Sequence, residues 1–327
     1  MLFWHLMAGA QLVLGIDLGG TKINTALVDR AGAVLAHDFR ATSVSDGPDA
    51  VIGRMIDASR QVITTAGMRP DHVQAAGVCA PGPLDVDRGL VLSPPNLPGW
   101  DRIPLTARIA DALAMPVHLE NDANAAALGE NRFGAGRGAR DMVYVTASTG
   151  IGGGLILDGH LYHGASGLAG EIGHQTVLPH GPVCGCGNRG CLESLASGTA
   201  IARRGRESVA RGVPTVISEL AQGDSLRISA KLVAQAAERG DSEARMILSQ
   251  AMDYLGIGMA NLVNLLNPEL IVIGGGLTKL GDMLFDSVRR AIDRIAFPMA
   301  ARAVRVVPAA LGDDVGALGA AALALGA

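Results

Sequence analysis

Three of the four cysteines crowd between positions 184 and 191, as Cys184, Cys186 and Cys191, with His174 shortly upstream. Three thiolates and one imidazole make a closed tetrahedral zinc site, and the glycines of CGCGNRGC let the backbone fold around a small ion. Such a site contributes on the order of 10 kcal/mol to local folding, enough to order a loop with no core of its own. The C-x-C spacing is not that of a redox-active thioredoxin pair, and in a reducing compartment the cluster argues for metal rather than disulfides. Cys79 stands apart. Glu171 precedes His174 by three positions and Glu193 follows Cys191 closely. A metal that fixes the knuckle therefore restrains both carboxylates, as a rigid frame presenting them to a polyol.

A second kind of chemistry lies in Asp17-Leu18-Gly19-Gly20-Thr21-Lys22. Two glycines in a turn let backbone N–H groups approach phosphate oxygens, and an adjacent carboxylate can hold Mg²⁺ through water. The segment is not a Walker loop, because Lys22 follows Thr21 and precedes Ile23. It is not a dinucleotide fingerprint either, because a strand follows it. Thr149-Gly150-Ile151-Gly152-Gly153-Gly154 repeats the grammar and reads as a second jaw on the same polyphosphate. The triplet Gly274, Gly275, Gly276 ends a strand, where α/β folds bind ligands. Asp122 opens a helical stretch, where the dipole favours its ionised form. That is the state a general base for a sugar hydroxyl requires. Asn121 and Asn96, each with a donor and an acceptor, are candidate sugar contacts.

The elements that must carry these residues alternate between strand and helix, which means an α/β fold. Apolar runs at 12–16 and 23–29 flank the first glycine turn as a hairpin, and 142–160 reads the same way, so an internal duplication with one hairpin per domain is expected. Between them come a helix near 48–66, a strand near 73–79, and two proline-shaped loops, APGPLD at 80–85 and SPPNLPGW at 93–100. A strand through MPVHLE leads into the helix that Asn121 or Asp122 caps. Beyond it, 230–265 has helical periodicity up to Pro268, followed by a buried strand at 270–276, a helix near 281–295, a strand at 304–307 and a final small-residue helix.

Composition narrows the function. In 327 residues there are 27 basic against 31 acidic side chains, a net charge of −4 with no Lys/Arg-dense run. Nucleic acid and anionic membrane are therefore not expected partners. No stretch reaches the ~18 apolar residues of a membrane span. Residues 1–10 lack the basic start of a signal peptide and read as a short extension, so a cytoplasmic protein is expected. The length suits two domains.

Taken together, the motifs resemble those of the ROK family of bacterial sugar kinases and repressors, within the actin/hexokinase-like superfamily, from about Gly15 to about Ala320. GIDLGGTK is similar to the family's first phosphate motif, with Asp17 in the metal-facing place; NDAN resembles its catalytic motif, which makes Asp122 the implied base. GEIGH followed by CGCGNRGCLE resembles its zinc and sugar signature and implies Glu171, His174 and Glu193 as sugar contacts, with His174 serving metal and substrate. IVIGGG and LGDDVGALGAA are similar to its adenosine-side elements, and SPPNLPGW to its sugar loop. Cys79 and Ser148 depart from the glycines common at those places.

The resemblance implies two actin/hexokinase-like (ribonuclease H-like) domains, 11–121 and 122–311, with an inter-domain cleft and a zinc knuckle, the terminal helix 312–327 returning to the first domain. Implied ligands are ATP with Mg²⁺ at Asp17, Gly19, Gly20, Thr21, Lys22, Thr149, Gly150 and Gly274–Gly276, and structural Zn²⁺. The implied reaction moves the γ-phosphoryl group of ATP to the 6-hydroxyl of glucose, because ENDANAAALGE and STGIGGGLILDG are most similar to the glucokinase branch. N-acetylmannosamine, N-acetylglucosamine or fructose are the alternative acceptors. A sugar-responsive repressor is the reading from a different class, disfavoured because the phosphate hairpin starts by residue 15 and leaves no room for a helix-turn-helix. Relatives of this kind imply a homodimer or homotetramer.

Overall fold

The computed structural model describes residues 11–326, so the expected extension at 1–10 lies outside the described residues. The chain forms two units. Among the described residues, unit 1 comprises 11–138, His163–Gly167 and 309–326; unit 2 comprises Ala139–Tyr162 and Leu168–Pro308.

Unit 1 is built on a mixed sheet of order β3-β2-β1-β4-β8. The strands are β1 (Leu12–Leu18), β2 (Lys22–Asp29), β3 (Val34–Ala41), β4 (Val73–Ala80) and β8 (Val117–Asn121). β1 to β3 run antiparallel through tight turns, while β4 and β8 lie parallel to β1. β1 is buried along almost its whole length, as expected of a central strand covered on both faces, whereas β3 is only intermittently buried at the edge. Helix α1 (Gly47–Thr65) turns the stripe Val51, Met55, Ala58 and Val62 inward. The proline loops carry the short strands β5 (Leu84–Asp85), β6 (Leu90–Val91) and β7 (Ile103–Pro104), and lead to helix α2 (Leu105–Leu113). Helix α3 (Asp122–Phe133) follows β8 directly.

The C-terminal helix, Val315–Gly326, is apolar on all sides and buried along most of its length. It lies against β1, β4 and α3 with almost nothing between the backbones. Gly15 of β1 and Gly77 of β4 are register partners. A Cβ on Gly15 would stand 1.9 Å from the Ala317 carbonyl oxygen, and one on Gly77 would stand 1.8 Å from that of Ala320. On the helix's other side, a Cβ on Gly319 would meet the Ala125 carbonyl at 2.0 Å. Glu130, buried in α3, accepts hydrogen bonds from the N–H groups of Ala135, Ala310 and Leu311, which fixes the chain as it enters the helix. The division between units consequently falls after Gly138 rather than at the expected 121/122, because α3 packs as part of unit 1.

Unit 2 repeats the topology, with sheet order β11-β10-β9-β12-β13. Its strands are β9 (Met142–Ala147), β10 (Ile151–Leu157), β11 (His160–Leu161), β12 (Leu270–Gly274) and β13 (Arg305–Pro308). The two sheets match in strand order and sense, the internal duplication expected from the two hairpins and the ribonuclease H-like arrangement that the family resemblance implies. Helices α4 (Leu192–Ala196), α5 (Gly198–Ala210), α6 (Val216–Leu220), α7 (Ala230–Glu238), α8 (Ser242–Leu266), α9 (Asp282–Ile295) and α10 (Pro298–Ala303) complete the unit. The helix expected over 230–265 is two helices: Gly240 takes a left-handed φ of 91°, and Asp241 caps α8 by accepting from the Ala244 N–H. α8 closes at Asn267, also left-handed, just before Pro268. Helices α2, α4, α5, α6 and α10 are additions to the set that sequence periodicity singles out.

Replacing Gly77 by alanine should push the C-terminal helix off the sheet and cost about 3 kcal/mol, since the colliding atom is backbone. Gly53, in α1 with open space where a Cβ would be, is the matched control; its alanine variant should gain about 0.5–1 kcal/mol. Urea unfolding of both variants measures the difference, and equal stabilities would refute the glycine bed.

Candidate functional site

In unit 1 the turn between β1 and β2 is closed by the Gly19 N–H donating to the Lys22 carbonyl at 3.0 Å. Thr42, buried at the end of β3, pins the turn from below. Its hydroxyl donates to the Gly19 carbonyl at 2.6 Å, and its N–H donates to the Thr21 carbonyl at 2.9 Å. Because a trans peptide sets C=O and N–H antiparallel, the Gly20 N–H points away from Thr42, in the direction a phosphate would need. A Cβ on Gly20 would crowd Asn96 at 3.3 Å, so the proline loop lies directly on the turn. That loop is anchored by buried Leu97 and Trp100, which leaves Asn96 exposed. Thr21 and Lys22 are exposed, with the Lys22 ammonium 5.8 Å from the centre of the Phe39 ring.

Asp17 lies just behind this turn, against Gly316 of the C-terminal helix, where a Cβ would stand 2.4 Å from its Oδ2. Burial pushes its carboxyl up to about 6, with the charge of Asp122 adding to the shift and the Cys79 hydrogen bond and Lys22 opposing it. The Cys79 thiol, itself driven well up by burial and by Asp17, stays protonated and donates to Asp17 Oδ1 at 3.4 Å. Asp122 is exposed in the first turn of α3, capped by Asn121, whose Oδ1 accepts from the N–H groups of Ala123 and Asn124. Asp17, Asp122, Gly20 and Asn96 thus belong to one neighbourhood of unit 1.

In unit 2 the ligand atoms of His174, Cys184, Cys186 and Cys191 all lie within 4.8 Å of one another. Cys186 and Cys191 sulfurs are 3.7 Å apart, and Cys184 Sγ is 3.7 Å from His174 Nδ1. Bonds of about 2.3 Å to sulfur and about 2.0 Å to nitrogen place neighbouring tetrahedral ligands roughly 3.5–3.8 Å apart, so the cluster has the dimensions of a zinc site. The donor set points the same way. Burial pushes the Cys191 thiol up to about 12, with hydrogen bonding to its two neighbouring thiols adding to the shift, so three adjacent thiolates require a cation. The Asn188 N–H lowers Cys186. With Nδ1 turned to the cysteines, His174 keeps Nε2 on the side of Glu171, 3.8 Å from its carboxylate. Glu171 is exposed.

The second glycine turn connects to the knuckle through Glu193. Its Oε2 accepts from the Ile151 N–H at 2.9 Å, and a Cβ on Gly150 would stand 2.5 Å from that oxygen. Thr149 is held through its carbonyl, which accepts from the Thr199 hydroxyl at 2.9 Å. Gly275 fits against the end of β9, where a Cβ would meet the Ala147 carbonyl at 2.5 Å; Gly276 lies beside the Ser148 hydroxyl. Gly274–Gly276 and the 148–150 turn are therefore neighbours. Gly152–Gly154 are not part of a turn: they run within β10, and Gly153 leaves room for Ile172, whose Cδ1 a Cβ would approach to 2.2 Å. They let the 170–174 segment lie close to the strand, so of the expected 149–154 run only Thr149 and Gly150 lie in the turn itself.

Two residues that sequence reasoning did not single out hold the unit 1 site. One is Thr42, already described. The other is Glu120, buried beside Asn121, whose Oε1 accepts from the Asn121 N–H at 2.8 Å and from Asn124 Nδ2 at 3.0 Å, while Oε2 is 2.7 Å from His163 Nε2.

The chain is similar to known proteins. The sequence matches the ROK family across residues 13–327. A glucokinase of Thermotoga maritima is 39% identical over 95% of this chain and 96% of its own. The crystal structure of a ROK family glucokinase from Streptomyces griseus, in complex with glucose and AMPPNP, is 35% identical with a TM-score of 0.80, covering 97% of this chain and all of that one, 100%. A xylose repressor of Caldicellulosiruptor bescii is 33% identical over 87% of this chain and 71% of its own length. The family match spans nearly the whole length, and this chain belongs to the ROK family.

Proposed function

We propose that this chain, an ATP-dependent sugar kinase, phosphorylates glucose at its 6-hydroxyl with Asp122 as general base. The observation that carries the reading is an exposed carboxylate fixed in a capped first helical turn, close enough to the glycine-turn residue Asp17 to shift its ionisation. Recognition of a sugar alone does not call for such a group, whereas proton removal does. The two glucokinase relatives described above support glucose as the acceptor.

On this reading Asp122 takes the proton of the 6-hydroxyl as that oxygen bonds to the γ-phosphorus. The bond from the γ-phosphorus to the bridging oxygen breaks, and ADP leaves with the electron pair. The Gly20 N–H, Thr21 and Thr149 stabilise charge on the transferring group, and Lys22 adds a nearby cation. Gly150 and Gly274–Gly276 leave space for the nucleotide. Asn96, Asn121, Glu171, His174 and Glu193 hold the sugar hydroxyls, although Glu193 is already engaged by the Ile151 N–H and has one oxygen to offer. Asp17 is the residue that would hold Mg²⁺, through water, and the ion would supply charge neutralisation at the phosphates. His174, Cys184, Cys186 and Cys191 would hold Zn²⁺, whose contribution is structural: it keeps Glu171 and His174 in a fixed frame.

Asp122→Asn should lower kcat by about 10²–10⁴-fold while leaving glucose and ATP affinities within a few-fold, measured by coupled ADP release and calorimetry. Near-normal turnover would take Asp122 out of the mechanism. In the same assay glucose should exceed fructose, N-acetylglucosamine and N-acetylmannosamine in kcat/KM; a faster reaction with one of these would move the acceptor assignment to it. Sugar binding with no phosphoryl transfer to any of them would favour the sensing role suggested by the repressor relative. Elemental analysis should find one zinc per chain. Removing it should lower the melting temperature and glucose affinity together, and a metal-free protein with unchanged melting and affinity would reject the knuckle's role.

A further inference from the structure

The pair Glu120–His163 has no part in the chemistry above, yet it stands immediately behind the catalytic turn. Glu120 is almost fully enclosed, with 2% of its side chain exposed, while His163 remains 42% exposed. A carboxylate withdrawn from water needs donors on both oxygens. One oxygen has the Asn121 N–H and Asn124 Nδ2; the other has His163 Nε2. Against a carboxylate the imidazole nitrogen is the donor. Asn121 and Asn124 bracket Asp122 in the chain, and the Asn121 side chain caps the same helical turn. One buried carboxylate therefore holds the residues on both sides of Asp122, and His163 holds that carboxylate.

We propose that His163 is a positioning residue for phosphoryl transfer, acting through Glu120 on the Asn121–Asn124 turn that carries Asp122. The inference rests on the reading of Asp122 as the base. Without the His163 donor, one oxygen of the enclosed Glu120 loses its partner, and the side chain must rotate toward water to find another. That rotation alters the acceptor that the Asn121 N–H and Asn124 rely on, and the turn loses its fixed orientation. A displaced base costs turnover while barely affecting ground-state binding.

The glutamine side chain places its amide nitrogen where His163 has Nε2; the asparagine side chain reaches only as far as Nδ1. His163→Gln should accordingly keep kcat within about 3-fold of the parent, whereas His163→Asn and His163→Ala should lose about 10-fold, with KM for glucose and ATP unchanged within about 2-fold. His163→Ala added to Asp122→Asn should cost nothing further, because the first change acts only through the second residue. Turnover of His163→Ala at the parent level, equal losses for the glutamine and asparagine variants, or additive losses in the double variant would each overturn the proposal. If Asp122→Asn itself keeps near-normal turnover, the reading of Asp122 fails; if that variant is impaired while His163→Ala is not, only His163 is acquitted of a role. Should the alanine variant not fold, as judged by circular dichroism, the glutamine and asparagine pair still decides the question.

Discussion

The constraint on which unit 1 depends is the contact of the C-terminal helix with bare backbone. Gly15 and Gly77, paired across β1 and β4, and Gly319 on the helix permit approaches that any side chain would forbid. Close packing of this kind is unforgiving, because the atoms that would have to move are carbonyls of regular elements. It also sets the chemistry. Asp17 lies two residues beyond Gly15 and presses against Gly316, so the position of its carboxylate follows from where the helix lies. Cys79, two residues beyond Gly77, donates to that carboxylate from the neighbouring strand. A helix of small and aliphatic residues thereby determines where a carboxyl group sits near the glycine turn.

Unit 2 solves the equivalent problem with different means. The segment from 170 to 193 has few apolar side chains to bury, and before α4 begins its regular structure amounts to a single 3-10 turn, Ile172–His174, and isolated bridges such as Thr176 with Cys191. The segment is held by the close approach of Gly173 to the Ile151 carbonyl, 2.0 Å for a Cβ, by backbone hydrogen bonds such as the Leu192 N–H to the Gln175 carbonyl, and by the convergence of four metal-type ligands. Glu193 then links the end of the knuckle to the second glycine turn by a hydrogen bond to backbone. On the proposed reading, a sugar contact and a phosphate turn share one carboxylate, so the two substrate-facing parts of unit 2 are mechanically joined.

How much of this was legible in the sequence depended on the range of the interactions involved. The knuckle was readable because its ligands are near one another in the chain and their spacing is dictated by the size of an ion. The Asn121–Asp122 turn was readable because capping is local chemistry. The hairpin of β1 and β2 was readable from apolar runs around a glycine pair. Glu120 and His163 were not, since their contact spans 43 positions and depends on the His163–Gly167 segment belonging to unit 1. Thr42 supports the Gly19–Thr21 turn from a separate strand, and a threonine at a strand end carries no signal of that role. Gly152–Gly154 looked like a ligand cradle because a glycine run has the same appearance whether it faces a phosphate or a packed isoleucine; only Ile172 tells the two apart. The unit boundary was misplaced for the same reason: α3 belongs to unit 1 by virtue of Glu130 and Gly129, whose partners lie near the chain's end.

The electrostatics of unit 1 supply a final link between fold and proposed reaction. Asp17 is held where burial and the charge of Asp122 both oppose its ionisation, with a thiol and a lysine only partly compensating. Placing two carboxylates in one neighbourhood is costly for an empty protein, and the glycine bed prevents Asp17 from relaxing away. On the proposed reading a metal–nucleotide complex would bring positive charge to this pair, which favours the ionised form of Asp17. Asp122, exposed in the capped first turn of α3, is on this reading the member of the pair that solvent and substrate can reach, and Asp17 is the one that burial holds.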